Sequence, residues 1–228
     1  HAGIVGKYVI EKLVRMPVEV DIASEFRYRN PIINKRTLMI IISQSGETAD
    51  TLAALREAKK RGARVIAVTN VVGSSVSREA DDILYTWAGP EIAVASTKAY
   101  VTQLIAIYII ALFFAQHKNT LSSEKIESIK KEMLSLPIKA EKVLGNKEII
   151  QEMAEKIYKN KDIFFLGRGL DYAVALEGSL KLKEISYIHS EAYAGGELKH
   201  GPIALIEDGT VVIAGATQEN LIIKMVSN

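Results

Sequence analysis

No cysteine occurs among the 228 residues. Disulfides, thiolate metal ligands and thiol nucleophiles are therefore excluded from them, and the composition fits a reducing, cytoplasmic setting. No dense basic run and no basic–aromatic stripe is present, and the formal net charge is only +2, so nothing points to nucleic acid. The longest apolar run, Leu104 to Ala115, falls short of the roughly 20 residues a bilayer needs; it predicts a buried core helix and no membrane partner. No basic start followed by an apolar stretch marks a secretory signal. No group of His, Asp and Glu has metal-ligand spacing, so no metal is expected. What is present is ordinary for a globular chain: 48% hydrophobic and 25% charged residues. That length suits one large domain or two small ones.

The pattern along the chain is α/β. From His1 apolar residues recur at helical spacing with no cap before them, which predicts a chain entered inside a helix. Val18 to Ile22 alternates like a short strand. Thr37 to Ile42 is a continuous β-rich apolar run, as expected of a strand buried on both faces of a parallel sheet. Ala49 to Arg61 reads as a helix with Leu52, Leu55 and Ala58 on one face, ended by Gly62. Arg64 to Thr69 and Ile83 to Trp87 read as further strands, and Ala95 to Gln116 as a long helix. Strand alternating with helix predicts a doubly wound sheet.

Residues 120–160 are rich in Lys, Glu, Ile and Leu and are broken by Pro137 and Gly145; they predict two or three connecting helices. Lys161 to Leu166 then starts a new buried strand, a helix follows through Ile185, Val211 to Ala214 is another strand, and Thr217 to Met225 starts another helix. The expected division is a first α/β unit over 1–119, a helical connection over 120–160, and a second unit over 161–228. Each unit has an open sheet edge, which predicts missing elements at both ends.

Ser43-Gln44-Ser45-Gly46-Glu47-Thr48 lies where a buried strand ends and a helix begins. Ligands bind at the carboxyl ends of parallel strands, and a helix N-terminus offers free N–H groups to an anion. Ser43, Ser45 and Thr48 add hydroxyls, and Gly46 lets the backbone come close. The loop has no lysine, so a single phosphate monoester suits it better than a nucleotide. Simple capping by Ser45 is the competing explanation. Val94-Ala95-Ser96-Thr97-Lys98 opens the long helix, with the same two readings of cap or ligand contact. Gly167-Arg168-Gly169 predicts a tight strand-to-helix turn rather than a dinucleotide fingerprint, because Tyr172 stands where the third glycine belongs.

Lys181 and Glu184 are three apart on a helix and share a face. A lysine there can hold the carboxylate ionised and ready to take a proton; a plain surface ion pair has the same spacing. His200, before Gly201-Pro202, is expected in a turn, where functional histidines concentrate. His189 is expected near that turn, and His117 at a helix end.

Taken together, Ala23 to Arg29 (Ala-Ser-Glu-Phe-Arg-Tyr-Arg), Ser43 to Leu52, Val94 to Ala99, Phe165 to Gly169, Ala175 to Gly178 and Leu180 to Pro202 resemble the isomerase part of the glutamine–fructose-6-phosphate aminotransferases. The resemblance runs in order over nearly the whole chain. It implies two flavodoxin-like sugar-isomerase (SIS) subdomains. It implies fructose 6-phosphate bound with its phosphate on Ser43, Gln44, Ser45 and Thr48, and the sugar against Val94 and Ser96. Glu184 would move a proton between C1 and C2 with Lys181 beside it, and His200 would help open the sugar ring from the partner subunit of a homodimer. The product would be glucosamine 6-phosphate, made with ammonia from glutamine and without a cofactor. The family's glutaminase domain, the Gly-Thr-Ser turn expected before His1, and the C-terminal tail with its imine-forming lysine lie outside these residues. This chain alone is therefore expected to be inactive.

Two other functions share parts of this pattern. A stand-alone phosphosugar isomerase needs the phosphate loop and a base, but it does not need the Ala23–Arg29 and Glu197–Pro202 stretches. A sugar-phosphate sensor needs the loop but neither Glu184 nor His200.

Overall fold

The structure, a computed structural model, describes residues 1–227. They form two compact units, one over Ala2–Thr120 and one over the residues from Leu121 onward, which also includes His1.

The first unit begins with α1 (Ala2–Val14) and the one-turn α2 (Ala23–Phe26). Between them Val18 to Ile22 is not a strand. Its amides are taken by side chains instead of a ladder: Val18 N donates to Glu11 Oε1 at 3.1 Å and Ile22 N to Asp21 Oδ1 at 2.8 Å. Alternation without a neighbouring strand to pair with does not make a sheet.

β1 (Leu38–Ser43), α3 (Ala49–Lys60), β2 (Arg64–Thr69), α4 (Ser75–Glu79) and β3 (Asp82–Tyr85) follow in turn. The three strands pair in parallel in the order β1-β2-β3. Side-chain alternation then sorts the apolar residues to two faces. Ile41, Val65 and Ala67 pack with Leu55 and Ala58 of α3 and Val76 of α4. Ile40, Ile42 and Ile66 face the other way, onto Ala106 and Ile110 of α5 (Lys98–His117). A sheet covered on both faces explains why its strands read as unbroken apolar runs. α5 is long and apolar enough to cross a membrane by length and composition; here it packs on α1 and β2. It starts later than the expected Ala95 because the preceding residues are held by Glu91, described below.

The second unit begins with three helices, α6 (Ser123–Leu134), α7 (Leu136–Leu144) and α8 (Lys147–Ile157). Pro137 lies in the first turn of α7 and Gly145 follows its end, as the two breakers predict. β4 (Asp162–Gly167), α9 (Leu170–Ser186), β5 (His189–Ala194), β6 (Val211–Ala214) and α10 (Glu219–Val226) complete it. The strands are parallel in the order β5-β4-β6, so the order reverses at β4. Such a reversal places a crevice at the carboxyl end of the central strand.

β5 is absent from the sequence reading. Its residues, His-Ser-Glu-Ala-Tyr-Ala, show no apolar run. His189, expected near the turn, is the first residue of β5, with Nδ1 2.9 Å from Asp162 Oδ1 at the start of β4. The one fully buried residue of the strand, Ser190, meets buried Ser179 of α9. Each hydroxyl donates to the other residue's carbonyl, Ser179 Oγ to Ser190 O at 3.0 Å and Ser190 Oγ to Ser179 O at 2.9 Å. Buried polar groups persist when they are satisfied in this way. Together the two sheets make the chain an α/β protein with two parallel three-stranded sheets.

Candidate functional site

The β1–α3 turn is built around Gly46. Its φ is +67°, and a Cβ there would lie 2.3 Å from Ser74 Oγ and 2.9 Å from Thr69 Oγ1. Both the left-handed backbone and the close approach require glycine. Ser74 cannot step aside freely, since it is buried and its hydroxyl accepts from Ser77 N as the cap of α4. Ser43, at the end of β1, is buried, and its Oγ accepts from Gly46 N at 3.0 Å. Ser45 Oγ accepts from Glu47 N at 3.3 Å.

Ser45 does not cap α3. The N-cap residue is Thr48, and its side chain makes no capping bond. The first N–H groups of α3 thus lack a side-chain acceptor at the carboxyl end of β1, where the dipole favours an anion.

Two carboxylates nearby would oppose an anion, and both are engaged. Glu47 Oε1 accepts from Ser75 N at 2.7 Å, and hydrogen bonds from Ser75 hold its pKa below the usual carboxylate value. Asp50, in the first turn of α3, is paired with Arg27 at 2.8 Å, and this bond to Asp50 raises the guanidinium pKa further. The Ala23–Arg29 stretch therefore places a cation at the start of α3.

Asn70, just after β2, ties the neighbouring loops together. Its N–H donates to Gln44 O at 3.1 Å, its Nδ2 to Gly89 O at 2.8 Å, and its Oδ1 accepts from Thr86 Oγ1 and Ala88 N. The strand-end loops of β1, β2 and β3 are thereby joined through one residue, its backbone N–H on the first and its side-chain amide on the last. Beyond them, Val94 is exposed and Ser96 half-buried. Neither Ser96 nor Thr97 caps α5; Glu91 does so, accepting from Ala99 N at 3.0 Å and from Ser96 Oγ at 3.4 Å.

In the second unit α9 carries the Lys181–Glu184 pair. Lys181 Nζ lies 2.6 Å from Glu184 Oε2. Burial pushes the lysine pKa down, but the hydrogen bond to Glu184 and the charges of Glu177 and Glu184 outweigh it, so the net shift is upward. Lys181 is thus an ammonium at neutral pH, beside Glu184. His200 follows the one-turn helix Glu197–Lys199 and is exposed, in a turn as expected. His117 ends α5, its Nδ1 donating to Phe113 O at 3.0 Å.

The Gly167–Gly169 turn is as tight as expected: a Cβ on Gly167 would meet backbone atoms of Asp171 and Tyr172 at 2.4 Å. Here the helix start already holds an anion. Buried Asp171 accepts from Thr217 N at 2.9 Å and from Thr217 Oγ1 at 2.5 Å. Ser43, Gln44, Ser45, Thr48, Val94 and Ser96 therefore belong to the first unit, and Lys181, Glu184 and His200 to the second.

Asn70 and Glu91 are missing from the sequence reading, and Arg27 and Glu177 enter it only within matched stretches, without a role. Asn70 carries a usable signal, since it is the first polar residue after a buried strand. The other three are recognisable only from partners distant in sequence or on another turn.

The sequence matches the SIS domain family over residues 1–113 and 156–222. It is 78% identical over all 228 residues to a glutamine–fructose-6-phosphate aminotransferase [isomerizing] of Clostridium tetani, and 76% identical to that of Clostridium acetobutylicum. In both cases the chain spans 38% of the relative's length. Among solved structures it resembles the C-terminal domain of glucosamine-fructose-6-phosphate aminotransferase from Francisella tularensis, with a TM-score of 0.97 and 44% identity, covering 99% of this chain and 64% of that one. The family match takes in every strand of both sheets and α9 with Lys181 and Glu184; the chain belongs to the SIS domain family.

Proposed function

We propose that this chain is the sugar-isomerase part of a longer glutamine–fructose-6-phosphate aminotransferase, which converts fructose 6-phosphate and glutamine to glucosamine 6-phosphate and glutamate. The observation that carries this reading is the 78% identity running over all 228 residues. In it, the free N–H groups at the start of α3 and the hydroxyls of Ser43, Ser45 and Thr48 hold the phosphate, with Gln44 alongside. Val94 and Ser96 lie against the sugar. Two features support this role for the loop: α3 lacks a side-chain cap, and both nearby carboxylates are engaged.

Glu184 is the base. It takes the proton from one sugar carbon and returns it to the neighbouring one, while the electron pair stays in the substrate as an enediol or enamine. The ammonium of Lys181 stands beside it, 2.6 Å from Glu184 Oε2. His200, in its exposed turn, assists ring opening. The glutaminase domain that releases ammonia, the homodimer that would bring His200 from a partner subunit, and a cytoplasmic setting are parts of the same reading.

The test is made in the full-length parent protein, assayed for glucosamine 6-phosphate from fructose 6-phosphate and glutamine. Glu184→Gln is expected to lower turnover by about 10²- to 10⁴-fold, the usual contribution of a general base. Binding of fructose 6-phosphate is expected to stay within twofold. An active parent whose Glu184→Gln variant turns over normally would remove Glu184 from this role.

A further inference from the structure

Lys181 faces a second carboxylate. Glu177, Lys181 and Glu184 lie on successive turns of α9, along one stripe of the helix. Nζ of Lys181 is 2.6 Å from Glu184 Oε2 and 3.5 Å from Glu177 Oε1. The other oxygen of Glu177, Oε2, is 2.8 Å from Nδ1 of His1. An ionised carboxylate only accepts hydrogen bonds, so Nδ1 of His1 is the donor. Each oxygen of Glu177 thus has one partner. The Glu177 side chain is 13% exposed, Lys181 20% and Glu184 31%, so the innermost of the three is the second carboxylate.

We propose that Glu177 is a positioning residue for proton transfer: it keeps the Lys181 ammonium paired when Glu184 takes the substrate's proton, and His1 fixes the oxygen it presents to the lysine. This rests on the reading of Glu184 as the base.

The argument is one of charge. Before transfer the stripe carries two negative charges and one positive. The proton leaves the substrate carbon for a Glu184 oxygen, its electron pair remaining in the substrate, and Glu184 becomes neutral. With Glu177 present the stripe then holds one ammonium and one carboxylate, still paired. Without it, the ammonium would be left alone in a half-buried place, which opposes proton arrival. Glu177 therefore leaves the Lys181 ammonium a carboxylate partner once Glu184 has taken the proton. A second carboxylate within reach also lets the ammonium, with its three donors, shift between partners without breaking free.

The experiment uses the full-length parent, with kcat and KM for fructose 6-phosphate measured for Glu177→Gln, Glu177→Asp and Glu184→Gln. Glu177→Gln removes the charge at constant shape. It is expected to lower kcat at least tenfold with KM within twofold, and Glu177→Asp to recover part of that loss. In a Lys181→Met background, where no ammonium needs a partner, Glu177→Gln is expected to cost less than twofold, a non-additivity that a general loss of folding would not produce. Unchanged kcat in Glu177→Gln beside an inactive Glu184→Gln overturns the positioning role alone. Equal losses in the Gln and Asp variants, or the same loss with and without Lys181, also overturn it. An active Glu184→Gln overturns the underlying reading of the base.

Discussion

The two units solve the same local problem in opposite ways. Each has a buried strand that ends in a glycine-bearing turn and feeds a helix whose first N–H groups attract an anion. In the β1–α3 turn the nearby carboxylates are drawn aside, Glu47 to Ser75 and Asp50 to Arg27, and no side chain caps the helix. In the β4–α9 turn the helix supplies its own anion, Asp171, held by Thr217. One turn is left open to a ligand and the other is closed from within. The second unit instead places the Lys181–Glu184 pair further along the helix. Similar folds therefore do not imply similar sites; the side chains at the turn decide whether a helix start is left uncapped or filled.

The comparison breaks most sharply at Gly46. Gly46→Ala sets a Cβ against buried Ser74 and forces a left-handed backbone on alanine. It should destabilise the first unit by about 3 kcal/mol and abolish any rise in melting temperature caused by fructose 6-phosphate. An unchanged melting curve would mean that the turn adapts and is not built for close approach.

Asp171→Asn tests the closed turn. Burial pushes the Asp171 pKa up, but the bonds from Thr217 and Gln218 outweigh it and hold it below the usual value. A lowered folded-state pKa adds stability above the unfolded value, near pH 3.9 for Asp, and that stability is lost as pH falls through the folded value. The variant should therefore be less stable by about 2 kcal/mol at pH 7, with the difference shrinking in acid. Urea midpoints at pH 7 and pH 3 would show it; a constant difference across that range would exclude an ionised Asp171.

Thr48→Ala gives the smallest effect and the finest distinction. Its hydroxyl makes no capping bond, so stability should change by less than about 0.5 kcal/mol. Affinity for fructose 6-phosphate should fall about fivefold, the worth of one hydrogen bond. The reverse result, lost stability with unchanged affinity, would make Thr48 a cap after all.

How much of this was legible in the sequence follows from what each element buries. β2 and β6 have the bounds read from their apolar runs, and β1 is displaced by one residue. β1 and β2, covered on both faces, advertise themselves, and β6 does so although most of its residues are exposed. β5 does not, because its buried position is a serine whose partner hydroxyl lies on α9, and no periodicity of apolar residues can reveal it. Val18 to Ile22 shows the converse: correct alternation, but amides claimed by Glu11 and Asp21. At the site, the β1–α3 turn was legible from its position and hydroxyls. Arg27 opposite Asp50, and Asn70 across three loops, were not, because their meaning depends on which chain segments the fold brings together.

The reciprocal bonds between Ser179 and Ser190 have a consequence for α9. A helix advances about 100° per residue, so slipping α9 by a single position against β5 would swing Lys181 and Glu184 a quarter-turn or more around the axis. The two hydroxyls act as an angular stop: either both carbonyls are met or neither is. The direction in which Glu184 points is thus set by an indexing contact between two small, uncharged residues, and widening either of them should turn Glu184 aside before it unfolds the sheet.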